Sequence, residues 1–214
     1  MQIDRIKSEI QNIKTTSFGI SIPELKKFAK HIAKENYKEF LDNKNFTTFE
    51  LRLLYAFVLG YAKDDISALL KYFNYLVPYV DDWAVNDSLC QSFKISRKYP
   101  DTVWQYLMQY QNTDKEFESR IVSVMLLSHY LTDEYIAEVI KVLDRLNADK
   151  YYAQMGIAWA IATIMGKYPN ICLQYLQSKE CHLNTETYNK SIRKIIESYR
   201  VDNKIKEIVK SMRK

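Results

Sequence analysis

Apolar residues recur every three to four positions along almost the whole chain, and that spacing predicts helices. A first short amphipathic helix is expected over residues 3–13, and Thr15 to Ile20, which contains Gly19, reads as a loop. Ser21-Ile22-Pro23-Glu24 carries three start signals: a capping serine, a proline suited to the first turn, and a glutamate three positions after the serine. That helix runs to about Glu35. Thr47-x-x-Glu50 has the same form and opens a helix to about Tyr61. Asp64 or Asp65 caps the next, which reaches Leu76 before Val77-Pro78. Further helices are expected over 82–98, 101–110, 115–130, 133–146, 150–167, 170–178, 186–199 and 203–212. Pro100 and Pro169 punctuate helix ends, because proline disfavours helix in the residue before it. No convincing alternating strand stands out, and no Pro/Gly/Ser-rich linker interrupts the chain. The expectation is an all-α fold in one domain spanning 1–214.

The pattern also repeats. Lys98-Tyr99-Pro100-Asp101 leads into Trp104-Gln105-Tyr106-Leu107, and Lys167-Tyr168-Pro169-Asn170 leads into Leu173-Gln174-Tyr175-Leu176. The two marks lie 69 residues apart, or two units of about 35. The register between them falls at Thr132-Asp133, and the one before at Lys63-Asp64, both expected helix starts. Helix pairs at this period predict an α-solenoid of HEAT-like repeats, with about six pairs.

Positions can then be compared by their distance from each mark. Trp83, Arg120, Asp87 and Trp159 take offsets that are helical neighbours, i, i+3, i+4 and i+7, in equivalent second helices. The same register reaches Arg52 and Tyr55 in the first repeat, and Lys190 and Lys194 in the last. This predicts one face carrying aromatics and one acid centrally, with cations outside. A solenoid's inner, concave face is its usual binding surface. The competing explanation is a core stripe in which Asp87 and Arg120 form a buried ion pair. Trp83-x-x-x-Asp87 itself stacks an aromatic and a carboxylate one turn apart, an arrangement suited to a cationic substrate.

Composition narrows the chemistry. Four glycines and four prolines in 214 residues disfavour Gly-rich phosphate loops, and no G-x-x-x-x-G-K-[ST] occurs. A net charge of +5 permits a polyanionic partner without requiring one. Cys90, Cys172 and Cys181 form no C-x-x-C, and three cysteines fit a reducing compartment. His31, His129 and His182 lack ligand spacing, so no metal is expected. Cys90 reads as a packed small side chain. Lys204 to Lys214 reads as a basic capping helix. No apolar run approaches a membrane span, and the first residues lack a signal sequence, so the expected setting is cytoplasmic.

Several segments together resemble the DNA alkylation repair family, the HEAT-like-repeat DNA glycosylases. They are Phe18-Gly19-Ile20-x-x-Pro23, Trp83-x-x-x-Asp87, Glu118-Ser119-Arg120-Ile121-Val122, Ala158-Trp159-Ala160 followed by Lys167-Tyr168-Pro169, and Lys190-Ser191-Ile192-Arg193-Lys194. The resemblance covers nearly the whole chain. It implies excision of purines alkylated at N3 or N7 from double-stranded DNA, by a monomer without a cofactor. It implies Trp83 and Trp159 as cleft aromatics, Asp87 as the catalytic carboxylate, and Arg120 as a grip on the backbone beside the lesion. Arg193 joins Lys190 and Lys194 as a candidate phosphate contact. Two features depart from the best-known members: Ala84 stands where an acid is common, and the part before Phe18 is short. Two other function classes stay open on the residues alone: a non-catalytic protein that binds damaged DNA, and a protein–protein scaffold.

Overall fold

A computed structural model describes residue 8 and residues 21–214. The helix and loop expected before Ser21 therefore lie outside the described residues. Every regular element among the described residues is helical. The chain divides into two compact units, one ending at Tyr99 and the other starting at Pro100.

The first unit contains α1 (Ile22–Glu35), α2 (Tyr37–Asp42), α3 (Phe49–Tyr61), α4 (Ile66–Leu76) and α5 (Trp83–Ser92). The box at Ser21 forms as expected: Ser21 Oγ accepts the Glu24 N–H, and Glu24 accepts the Ser21 N–H. Asp65 caps α4. The cap expected at Thr47 falls one residue later. Thr48 is the cap, accepting from Leu51 N–H. Thr47 instead donates both its N–H and its hydroxyl to Asn45. The short α2 was not anticipated. Asn36 ends α1 and caps α2: its Oδ1 accepts the Glu39 N–H and its Nδ2 donates to the Glu39 carboxylate.

α3 is the centre of this unit, with α1 and α5 packed against it. Its sequence Phe-Glu-Leu-Arg-Leu-Leu-Tyr-Ala-Phe-Val-Leu-Gly-Tyr is apolar nearly all round, as a helix enclosed on every side must be. Gly60 lets α5 come close: a Cβ there would lie 2.4 Å from Ser92 Cβ and 2.7 Å from the Ser92 carbonyl. The single helix expected over 82–98 is broken. Ser92 turns its hydroxyl back onto the Ser88 and Leu89 carbonyls and across to Ala56. Phe93 leaves helical geometry to pack its ring against Phe73, and a 3₁₀ turn follows over Lys94–Arg97.

The second unit contains α6 (Pro100–Met108), α7 (Glu116–His129), α8 (Ile136–Arg145), α9 (Tyr151–Lys167), α10 (Pro169–Gln177), α11 (Thr185–Glu197) and α12 (Asn203–Lys210). α9 takes the central place, between α7 and α11, and is again apolar nearly all round. α8 starts three residues later than expected, after a turn at Thr132 to Tyr135.

Several long-range hydrogen bonds span a similar number of residues. Ser92 reaches Ala56, Tyr152 N–H reaches Glu116, Lys190 reaches Gln154, Asn184 reaches Ala148 and Lys167 reaches Leu131, each across 36 residues. Tyr168 reaches Asp133 across 35. The two repeat marks also match locally. Lys98 Nζ lies 5.2 Å from the Tyr99 ring centre, and Lys167 Nζ lies 5.3 Å from that of Tyr168.

Candidate nucleic-acid interface

In the first unit the site residues cluster at the start of α5. Asp82 caps the helix through the Ala84 N–H at 2.7 Å, which makes Trp83 its first residue. Trp83 is 51% exposed, unusual for so large an apolar ring. Val85 and Leu89 anchor the opposite side in the core. Asp87, one turn beyond Trp83, is 8% exposed. The fully buried Asn86 directs Nδ2 to Asp87 Oδ1 at 3.3 Å and to Cys90 Sγ at 3.8 Å. Cys90 is buried, as a packed side chain should be.

Two expected surface residues of this unit have internal roles. Tyr55 is core, not surface. It is 1% exposed, donates its hydroxyl to the Tyr72 carbonyl at 3.1 Å, and packs edge-on to Phe46. Burial pushes its phenol above the usual range. The reason is that α3 has no solvent face along most of its length. Arg52 is a staple. Nη1 donates to the Phe46 carbonyl at 2.9 Å, and Nη2 pairs with Asp81 Oδ1 at 3.0 Å. It thereby ties the loop before α3 to the turn that leads into Trp83.

In the second unit α7 grips the start of α9. Glu116 Oε1 accepts the Tyr152 N–H at 2.6 Å. Arg120, one turn along, donates Nη1 to the Tyr152 carbonyl at 3.0 Å. Phe117, between them in sequence, stacks on the Tyr152 ring at 5.4 Å. Arg120 is only 6% exposed, so much of its guanidinium is engaged inside the protein. Gly156 allows the approach: a Cβ there would meet Ser123 Oγ at 2.5 Å and Arg120 Cγ at 3.2 Å.

Trp159, seven residues beyond Tyr152 on α9, is half-buried. Lys190 on α11 donates to Gln154 Oε1, lies 3.5 Å from Glu186 Oε2, and sits 5.6 Å from the ring centre of the exposed Tyr151. Gln154 is itself fixed by bonds to the Ala148 carbonyl and Glu186. The Gln154 bond, and then the Lys190 charge, hold the Glu186 carboxyl below its usual range. Lys194 pairs with Glu197 at 2.9 Å, and Arg193 is exposed. Side chains along α9 and α11 that reach solvent thus include Tyr151 and Trp159, and Lys190, Arg193 and Lys194 beside the acids Glu186 and Glu197.

Glu116, Tyr151, Tyr152, Gln154 and Glu186 were missed in the sequence. Their signal was the spacing of 36 that pairs Glu116 with Tyr152 and Gln154 with Lys190. Among the described residues no three His, Cys, Asp or Glu side chains gather as a metal site would require. No described helix is long and apolar enough to cross a membrane.

Comparisons of the chain with curated proteins and with solved structures return no match. The sequence pattern of the family described as DNA alkylation repair enzyme, by contrast, matches residues 6–197. That span includes every residue placed above, from Phe46 through Glu197, and so the chain belongs to the DNA alkylation repair enzyme family.

Proposed function

We propose that this protein is a monofunctional DNA glycosylase that hydrolyses the N-glycosidic bond of purines alkylated at N3 or N7 in double-stranded DNA. Membership of the family supports DNA as its partner and alkylation damage as its context. One observation carries the finer reading: Trp83 stands 51% exposed at the head of α5, with the Asp87 carboxylate one turn behind it.

Alkylation at N3 or N7 gives the purine a positive charge and makes it a good leaving group. Bond cleavage then needs little acid catalysis. Charge instead develops on the sugar, which becomes an oxocarbenium-like cation. A carboxylate stabilises that cation, as in glycoside hydrolysis. An indole face attracts it as well. Asp87 also orients or deprotonates the attacking water. Trp83 and Trp159 are the aromatic contacts, and Arg120, Lys190, Arg193 and Lys194 are the contacts to the DNA backbone. In this reading Arg52 and Tyr55 support the interface from behind. Each unit is a run of HEAT-like helix pairs, and the whole is one functional domain acting as a cytoplasmic monomer.

A second reading follows from the internal bonds of Arg52 and Arg120 and from Ala84 beside Trp83: a protein that binds damaged duplex without cleaving it. Release of 7-methylguanine or 3-methyladenine from methylated duplex DNA separates the two. Release by wild type and not by Asp87→Asn supports the glycosylase. Damage-selective binding without release supports the second reading, and absence of DNA binding at low salt removes both.

A further inference from the structure

Asn86 is a polar side chain in an apolar place. It is 0% exposed, with Val85, Leu89 and Phe93 buried around it in the chain. Its Nδ2 faces Asp87 Oδ1 at 3.3 Å and Cys90 Sγ at 3.8 Å. Its Oδ1 has no hydrogen-bond partner among the described residues. Electrostatics decides which way the amide points. The flipped orientation would set the amide carbonyl against the Asp87 carboxylate, two acceptors face to face. Nδ2 therefore takes the side of Asp87 and Cys90, and the oxygen is left over. A buried amide oxygen without a partner lowers stability. Leucine has nearly the same shape and would fill the space without that loss. What the amide supplies and leucine does not is a donor to Asp87.

We propose that Asn86 is a positioning residue for Asp87. Its Nδ2–H holds one carboxylate oxygen and so fixes the rotation of the group that meets the sugar cation. Cys90 takes the second amide hydrogen and anchors the amide from the other side. This rests on the reading of Asp87 as the catalytic carboxylate. It makes α5 a place where stability is given up to orient a charge.

The test uses the full chain with Asn86→Leu, Asp87→Asn and the double variant. Three quantities are read on each: single-turnover release of 7-methylguanine from methylated duplex, affinity for that duplex, and the thermal unfolding midpoint. The expected Asn86→Leu protein unfolds at the same or a higher temperature and binds duplex as wild type does. It releases base about 10- to 100-fold more slowly, the scale of one hydrogen bond to a charged group. In the Asp87→Asn background it adds nothing further, because the two residues act as one unit. Asn86→Ala, which cannot overpack, shows the same rate loss and the same absence of a further effect. A wild-type rate in both Asn86 variants, with release lost in Asp87→Asn, overturns the role of Asn86 and leaves Asp87 standing. Multiplying effects in the double variant overturn it too. Full release by Asp87→Asn removes the parent reading and this one with it.

Discussion

The backbone N–H of Tyr152 donates to Glu116 Oε1 at 2.6 Å, so a residue 36 positions earlier caps the helix that begins at Tyr151. The N-cap residue itself, Lys150, contributes no side-chain bond. Glu116→Ala leaves an early helical N–H without this acceptor and should cost about 1 kcal/mol, as the loss of a capping side chain does. For a protein of this size that lowers the unfolding midpoint by roughly 2–4 °C. Glu116→Gln keeps an oxygen and should lose less. Thermal unfolding of the three proteins checks this, and an unchanged midpoint in the alanine variant would show that the cap is dispensable.

The two close-packed glycines should differ in what they tolerate. At Gly60 a methyl group meets Ser92 Cβ and the Ser92 backbone carbonyl, and neither yields without moving α5. Gly60→Ala should therefore be destabilising by about 1–3 kcal/mol, even against the gain of roughly 1 kcal/mol in helix propensity. At Gly156 the obstacle is Ser123 Oγ at 2.5 Å, and Arg120 Cγ at 3.2 Å is a milder second contact. Gly156→Ala should cost less, and Ser123→Ala should restore part of the loss. Denaturant unfolding of the single and double variants measures the coupling. Simple additivity at Gly156 and Ser123 would contradict the packing described.

Acid sensitivity should show at Asp64. It accepts from Tyr37 Oη at 2.6 Å, from the Asp65 N–H at 2.8 Å, and pairs with Lys38 Nζ at 2.9 Å. The Tyr37 bond, and then Lys38, hold its carboxyl at about 2, below the usual 3.8. A carboxylate depressed in the folded state contributes stability above the unfolded value, and that contribution is lost as pH falls through the folded one. The window therefore runs from about pH 4 down to about pH 2. Asp64→Asn and Tyr37→Phe should both flatten the pH dependence of unfolding in that window. Equal slopes in wild type and Asp64→Asn would show that this cluster contributes nothing.

Asp87→Asn tests the chemistry. If the carboxylate meets the transition state, base release should slow by roughly 10²–10³-fold, the effect of losing one electrostatic stabiliser. Duplex binding and the unfolding midpoint should change little. A carboxylate kept only for an internal ion pair gives the opposite result: stability falls by about 3–5 kcal/mol, and release follows the folded fraction. Single-turnover release and thermal unfolding on the same preparations separate the two.

Lys190 and Lys194 are held by Gln154, Glu186 and Glu197, so phosphate contact requires those partners to be exchanged. If both lysines reach phosphates, replacing both with alanine should flatten the log–log salt dependence of duplex affinity by up to about two units. A slope equal to that of wild type would take the α11 end out of the interface.

Helix ends were legible in the sequence because capping is local. Ser21 with Glu24, Asp65, Pro100 and Pro169 act within a few residues of themselves, and the structure uses each at or next to its expected place. The Thr47 box failed by one residue because Asn45 competes for Thr47, a choice between two local bonds. The likeness of the two Lys-Tyr-Pro marks was also legible, and both place the lysine over the following tyrosine ring. The break at Phe93 was not, because it depends on Ser92 meeting Ala56 and on Phe93 meeting Phe73 across the unit.

The sequence by itself determined that the described residues are helical, most of their helix boundaries, and membership of a DNA alkylation repair family. Tertiary structure alone decided which of the striped residues reach solvent. A helical period gives a direction around an axis, and says nothing about what stands in that direction. Trp83 sits at the head of a helix with one side open and is exposed, whereas Tyr55 lies in α3, enclosed by neighbours, and is core. Arg120 and Arg52 carry the charge expected of them, but each has carbonyl oxygens of its own fold within reach, and burial makes those bonds favourable.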